Sequence, residues 1–154
     1  MKNFSRVLTL LCALAAAWLT TGSALLPPDV PTITVIANEK GAPTFLTMRQ
    51  LKAVLEGERQ RWPDGTKISI AFMKATTPVG NATASKVMKM TGDQLNKFWL
   101  ALVFQGKAKA PVFFSSAADL ENYVAHNAGA VGVIDASYPV KEARVVSIDG
   151  KRSF

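Results

Sequence analysis

Cysteine and histidine each occur once among 154 residues, as Cys12 and His126. That excludes an internal disulfide framework and a conventional Cys/His zinc site. Beyond residue 26 no apolar run approaches the ~20 residues that a membrane span requires, so a polytopic membrane protein is excluded. The GxSxG, HExxH and GxxxxGKS/T patterns are missing, and the acids are scattered with no pair spaced as a general acid and base. No Lys/Arg cluster is interleaved with aromatics, so nucleic acid is not an expected partner. No enzyme activity, cofactor or metal is expected on these grounds. What remains is 49% hydrophobic, with 18 Lys plus Arg against 11 Asp plus Glu and a formal charge of +7. A chain of this length supports one well-buried core and is too short for two ordinary domains.

The amino terminus reads as an address. Lys2 and Arg6 precede the apolar stretch Val7 to Leu19, and Gly22 and Ala24 suit the −3 and −1 positions of a signal peptidase site. Residues 1–24 are therefore expected to be a cleaved signal peptide, which places the mature chain in the periplasm. The rival is an uncleaved amino-terminal anchor, disfavoured because the run is short and ends in small polar residues. Leu11 before Cys12 is not small, which argues against lipidation. Removal of residues 1–24 takes Cys12 and two of the 18 cations, leaving 16 basic against 11 acidic side chains and no transmembrane segment. That charge suits an anionic ligand, as it also suits a soluble protein with a basic isoelectric point.

Residues 25–31 (LLPPDVP) form a proline-broken, extended lead-in. Thr32 to Ala37 is a β-branched strand, and Thr47 caps a helix from Met48 to about Glu56 with Gly57 as its stop. Arg61-Trp62-Pro63-Asp64-Gly65-Thr66 is a turn, followed by a strand over Lys67 to Phe72 with period two. Asn81 or Thr83 is read as the cap of a helix running to about Met90. From Thr91 a further helix places Leu95, Phe98, Trp99, Leu102 and Val103 on one face. Ser115-Ser116 opens a helix whose Asp119 and Glu121 favour its positive end. Strands follow over Ala130 to Ile134 and Ala143 to Ile148. The alternation argues an α/β sheet covered on both faces, one domain over 32–154.

Chemistry-bearing candidates are few. His126 falls at a helix carboxyl end, where an exposed side chain interacting with the dipole is ordinary. Thr76 to Thr83 (TTPVGNAT) is hydroxyl-rich and feeds a helix amino terminus, an arrangement that presents donors to an anion and serves equally as a capped polar turn. Its candidate ligands are Thr76, Thr77, Asn81, Ala82 and Thr83. Trp62 and Trp99 are read as packing residues before ligand platforms. Lys107 and Lys109 lie in a basic loop.

Several segments in series carry a resemblance: Ile33 to Asn38, Leu51 to Gly57, Arg61-Trp62-Pro63-Asp64-Gly65, Asn96 to Lys107 with Pro111, and Tyr123-Val124-Ala125 leading to Gly129 to Ile134. In this order the chain resembles the substrate-binding proteins of phosphate ABC transporters, a type II periplasmic binding protein family, over roughly residues 32–150. The resemblance implies one three-layer lobe of that fold, with a mixed, mostly parallel sheet of about four to five strands flanked by helices. It implies phosphate or another small oxyanion as ligand. The family has two lobes and an arginine before the helix that here follows Asn81; this chain has length for one lobe and no such arginine. Weak binding follows, with a homodimer or an envelope protein to complete the cleft. The other reading is a periplasmic interaction module that has lost anion binding.

Overall fold

The computed structural model describes residues 30–154, so the expected signal peptide and all but the end of the lead-in lie outside the described residues. β1 (Ile33–Ala37) is buried at all five positions, as its β-branched run requires. It is followed by β2 (Phe45–Leu46), α1 (Met48–Leu55), β3 (Ser69–Met73), α2 (Pro78–Thr83), α3 (Gly92–Phe104), β4 (Val112–Phe114), α4 (Ala117–His126), β5 (Ala130–Asp135) and β6 (Arg144–Ile148). One sheet results, in the order β2-β6-β1-β5-β3-β4. β1 opposes its neighbours β5 and β6, while every other pairing is parallel. The sheet is thus mixed and mostly parallel, flanked by four helices.

Six strands stand where four to five were expected. β2 is two residues long and β4 three, too short to show a periodicity, and each is held by pairing with a distant strand. Burial of Ala130 through Ile134 means that both faces of β5 are covered. At Gly132 a Cβ would lie 2.6 Å from Leu120 Cδ2, so glycine sets how closely α4 approaches the sheet.

Local signals explain most helix boundaries. Thr47 and Thr91 each form a capping box, with Gln50 and Gln94, and Ser116 caps α4. Asn38 Nδ2 donates to the carbonyls of Val124 and Ala125, tying the end of β1 to the last turn of α4. Two expectations are corrected. The cap of α2 is Thr77, with Pro78 at the first helical position, in place of Asn81 or Thr83; proline has no N–H to lose there and its φ is already helical. The helix then passes into a π-helical turn over Ala84–Met88 and ends at Lys89, whose φ is +57°. Glu121 is not an exposed partner of the α4 dipole. It is buried, and its Oε1 accepts from the backbone N–H groups of Lys141 (2.6 Å), Glu142 (2.8 Å) and Ala143 (3.3 Å). Burial pushes its pKa up, but those backbone donors together with the Tyr138 hydroxyl prevail and hold it below its ordinary 4.5.

Trp62 and Trp99 are both core residues. The Trp62 indole N–H donates to Gly129 O at 2.9 Å, pinning the W-P-D-G turn to the residue before β5. On α3, Leu95 and Trp99 are buried, Phe98 and Leu102 half-buried, but Val103 is exposed, contrary to the sequence pattern. The sheet ends at β4, so α3 finds cover for only part of its apolar face; Leu100 and Phe104 also face outward.

Candidate functional site

Parallel strands deliver their carboxyl ends to one edge, and in open α/β sheets ligands bind there. At that edge β3 runs into Lys74-Ala75-Thr76-Thr77 and then α2, while β4 runs into Ser115-Ser116 and then α4. The two loops are neighbours because Lys74 N donates to Phe114 O at 2.8 Å.

The β3–α2 loop is built largely from its own backbone. Thr77 uses its hydroxyl twice, donating to Lys74 O (2.7 Å) and accepting from Gly80 N (3.0 Å). Its backbone N–H also donates to Lys74 O, and its carbonyl accepts from Asn81 N. Gly80 permits this closure: a Cβ there would lie 2.1 Å from Lys74 O, a backbone atom that cannot move aside. Thr76 and Asn81 are exposed, and neither side chain has a hydrogen-bond partner among the described residues. Ala82 and Thr83 are buried, and Thr83 Oγ1 donates back to Val79 O at 2.8 Å.

Of the five candidates, the structure turns Thr76 and Asn81 to solvent, commits Thr77 to the cap, and sets Ala82 and Thr83 against the core. The sequence reading passed over two groups at this edge. Lys74 is exposed and supplies a cation in the loop itself, and Ser115 is an exposed hydroxyl in the adjoining loop. The position of Lys74 directly after a strand was the available signal for it. Ser115 was read only as opening a helix, because β4 was too short to recognise and its pairing with β3 is what sets the two loops side by side.

Two acids at the same edge, Asp135 and Asp149, accept hydrogen bonds, while Asp93 and Asp119, in the first turns of α3 and α4, are exposed. Asp135 Oδ1 accepts from the N–H and hydroxyl of Ser137, and these bonds, hydroxyl first, lower its pKa below 3.8. Asp149 accepts from Met48 N in the first turn of α1. His126 is exposed, with Nδ1 2.9 Å from Asn122 O of its own helix and 3.9 Å from a Glu142 carboxylate oxygen, the helix-end placement its sequence position implied. Among the described residues no cluster of three His, Cys, Asp or Glu side chains is arranged to hold a metal ion, and no helix is long and apolar enough to cross a membrane.

No protein-family model matches the chain, and no curated protein matches it in sequence. Solved structures do match in fold. An ABC-type phosphate transport receptor from Vibrio cholerae superimposes with a TM-score of 0.63 at 16% identity, over 81% of this chain and 50% of the receptor. A phosphate binding protein from Stenotrophomonas maltophilia gives 0.60 at 12% identity, over 78% of this chain and 39% of its own. PstS from Borrelia burgdorferi gives 0.56 at 14% identity, over 79% and 48%. The chain therefore has the fold found in these proteins and spans half their length or less.

Proposed function

We propose that the chain is an exported, non-enzymatic relative of phosphate-binding proteins that corresponds to one lobe of their fold. It binds phosphate or a similar small oxyanion weakly at the β3–α2 loop. The observation that carries this reading is the position of that loop. It lies at the carboxyl end of β3, in a fold shared with two proteins whose names record phosphate binding or transport. The Thr76 hydroxyl, the Asn81 amide and the Lys74 ammonium are the free groups to meet the ligand. Thr77 holds the loop in shape, and Ala82 and Thr83 support it from behind. Lysine offers a point charge without the bidentate fork of arginine, and an open edge leaves the anion hydrated on one side, so affinity is low. Equilibrium dialysis against labelled phosphate tests this. Thr76→Val combined with Lys74→Met is expected to lower binding severalfold, and unchanged binding by the pair overturns the assignment.

A second reading, an interaction module at the cell envelope or a homodimer, draws on one observation. Leu100 and Val103 of α3 are exposed along a groove shared with Phe113 of the edge strand β4, and Phe104 and Val112 are exposed as well, Phe104 83% accessible. An edge strand and an apolar helix face side by side are features that proteins ordinarily cover. Sedimentation equilibrium of the chain and its Phe104→Ser variant separates the cases: association lost in the variant supports the module, and a monomer in both removes the homodimer.

A further inference from the structure

The amino-terminal edge of the sheet, opposite the Lys74–Thr77 loop, holds a cavity of about 440 Å3 between segments that lead into β3, β4 and β5. Its lining includes four cations, Arg59, Arg61, Lys67 and Lys109, and no carboxylate. The close pairs of opposite charge among the described residues, Lys52–Glu56 and His126–Glu142, involve none of them.

Arg61 and Lys67 are direct antiparallel partners across the W-P-D-G turn. Directly opposed residues project on the same face, where like charges repel. The one acid of that turn, Asp64, is taken up by the backbone N–H of Thr66, which lowers its pKa most, and by the Thr66 hydroxyl. The lining itself therefore carries four positive charges and no negative one, while Asp64, kept ionised by those bonds, lies outside it. The surround is already fixed in place: the Arg61 guanidinium donates to Gly65 O (2.7 Å), and Gln60 Nε2 donates to Lys107 O (2.6 Å), joining the hairpin to the loop that carries Lys109. The apolar part of the wall comes from Ile68, Ile70 and Trp99. Trp99 is 3% exposed and lies along both this cavity and the adjoining apolar groove; its indole N–H has no acceptor among the described residues.

We propose that this cavity binds a phosphorylated organic molecule of nucleotide size, with its phosphates among the four cations and its apolar part against Ile68, Ile70 and Trp99. Four cations exceed what one small anion requires, and the two guanidinium groups among them suit the several oxygens of linked phosphates. The volume lies in the range of small-molecule sites, well above that of a single phosphate ion. The site is separate from the oxyanion loop and at the other end of the strands.

Amide NMR of the full chain titrated with ADP, and separately with inorganic phosphate, tests it. ADP is expected to move the amides of residues 59–69, 108–110 and 127–128. Its affinity is expected to fall roughly tenfold or more when Lys67→Gln and Lys109→Gln are combined, since both side chains are exposed and their loss does not threaten folding. ADP leaving these amides unmoved at millimolar concentration overturns the inference, as do shifts of equal size and affinity in the double variant. If phosphate moves residues 74–81 while ADP moves nothing near 59–69, the proposed function stands and this inference falls.

Discussion

At the carboxyl end of β3, adjacent residues from Lys74 to Gly80 close on one another through the Thr77 hydroxyl and the Lys74 carbonyl, and a single cation stands in the loop. At the amino end of the same strand, four cations arrive from separate stretches of chain, Arg59 and Arg61 before the turn, Lys67 after it and Lys109 beyond α3, around a cavity. The first end is specified by short-range sequence, with turn, cap and proline in succession. The second exists only once the hairpin, α3 and the start of β5 are packed together. Charge follows the same division. The carboxyl edge carries acids, Asp135 and Asp149 hydrogen-bonded to neighbouring donors and Asp93 and Asp119 exposed, whereas the cavity at the amino edge has no acid in its lining.

Glycine substitutions set the two ends against each other with the largest expected effects. Gly80→Ala would place a Cβ 2.1 Å from Lys74 O, and Gly129→Ala one 2.2 Å from Lys67 O at a φ of +76°. Each is expected to cost roughly 2–4 kcal/mol by urea denaturation. At sub-denaturing conditions Gly80→Ala removes the phosphate response of residues 74–81 and spares the amino-edge response to ADP, and Gly129→Ala does the reverse. A common loss of both responses in either variant contradicts independence of the two ends.

Glu121 serves as a reference outside both loops. Glu121→Gln is expected to lose roughly 1–3 kcal/mol, because a neutral amide oxygen accepts more weakly from the three loop N–H groups. Its folded pKa lies below the unfolded value of about 4.5, so its contribution is full above pH 4.5 and lost as pH falls through the folded value. Thermal midpoints of the parent chain therefore drop on acidification below 4.5, and those of Glu121→Gln drop less steeply there.

Removal of the Thr77 cap by Thr77→Ala is expected to cost about 1 kcal/mol and to weaken phosphate binding through disorder of the loop, with the ADP response at the other end unchanged. The smallest effect is the most discriminating. Lys67→Thr relieves the cross-strand repulsion with Arg61 and should leave stability unchanged or raise it by roughly 0.2–1 kcal/mol while lowering ADP affinity. A loss of stability in that variant would mean that Lys67 is held by contacts other than an anion.

Much of the fold was legible in the sequence because local chemistry agreed with the packed result. Thr47 caps as read, Thr91 and Ser116 turn out to cap the helices read as starting there, and the apolar runs of β1 and β5 are buried as read. Thr77-Pro78 carried a capping signal that the later Asn81 and Thr83 obscured. Glu121 could not be read, since its partners Lys141 to Ala143 are some twenty residues away and become donors to it only in the folded loop. β2 and β4 lack any pattern of their own and exist through β6 and β3. The TTPVGNAT stretch was conspicuous as a contiguous motif, yet which of its side chains remain free depends on the turn of α2. Arg59, Arg61, Lys67 and Lys109 are unremarkable as a string and acquire meaning only as neighbours around a space.

The reading of the β3–α2 loop as an oxyanion site is tested most directly by an amide NMR titration of the full chain with inorganic phosphate. Progressive, saturable shifts centred on residues 74–81, with Ser115 moving alongside, are the predicted result. Silence of those amides at millimolar phosphate, with the fold intact, would contradict it.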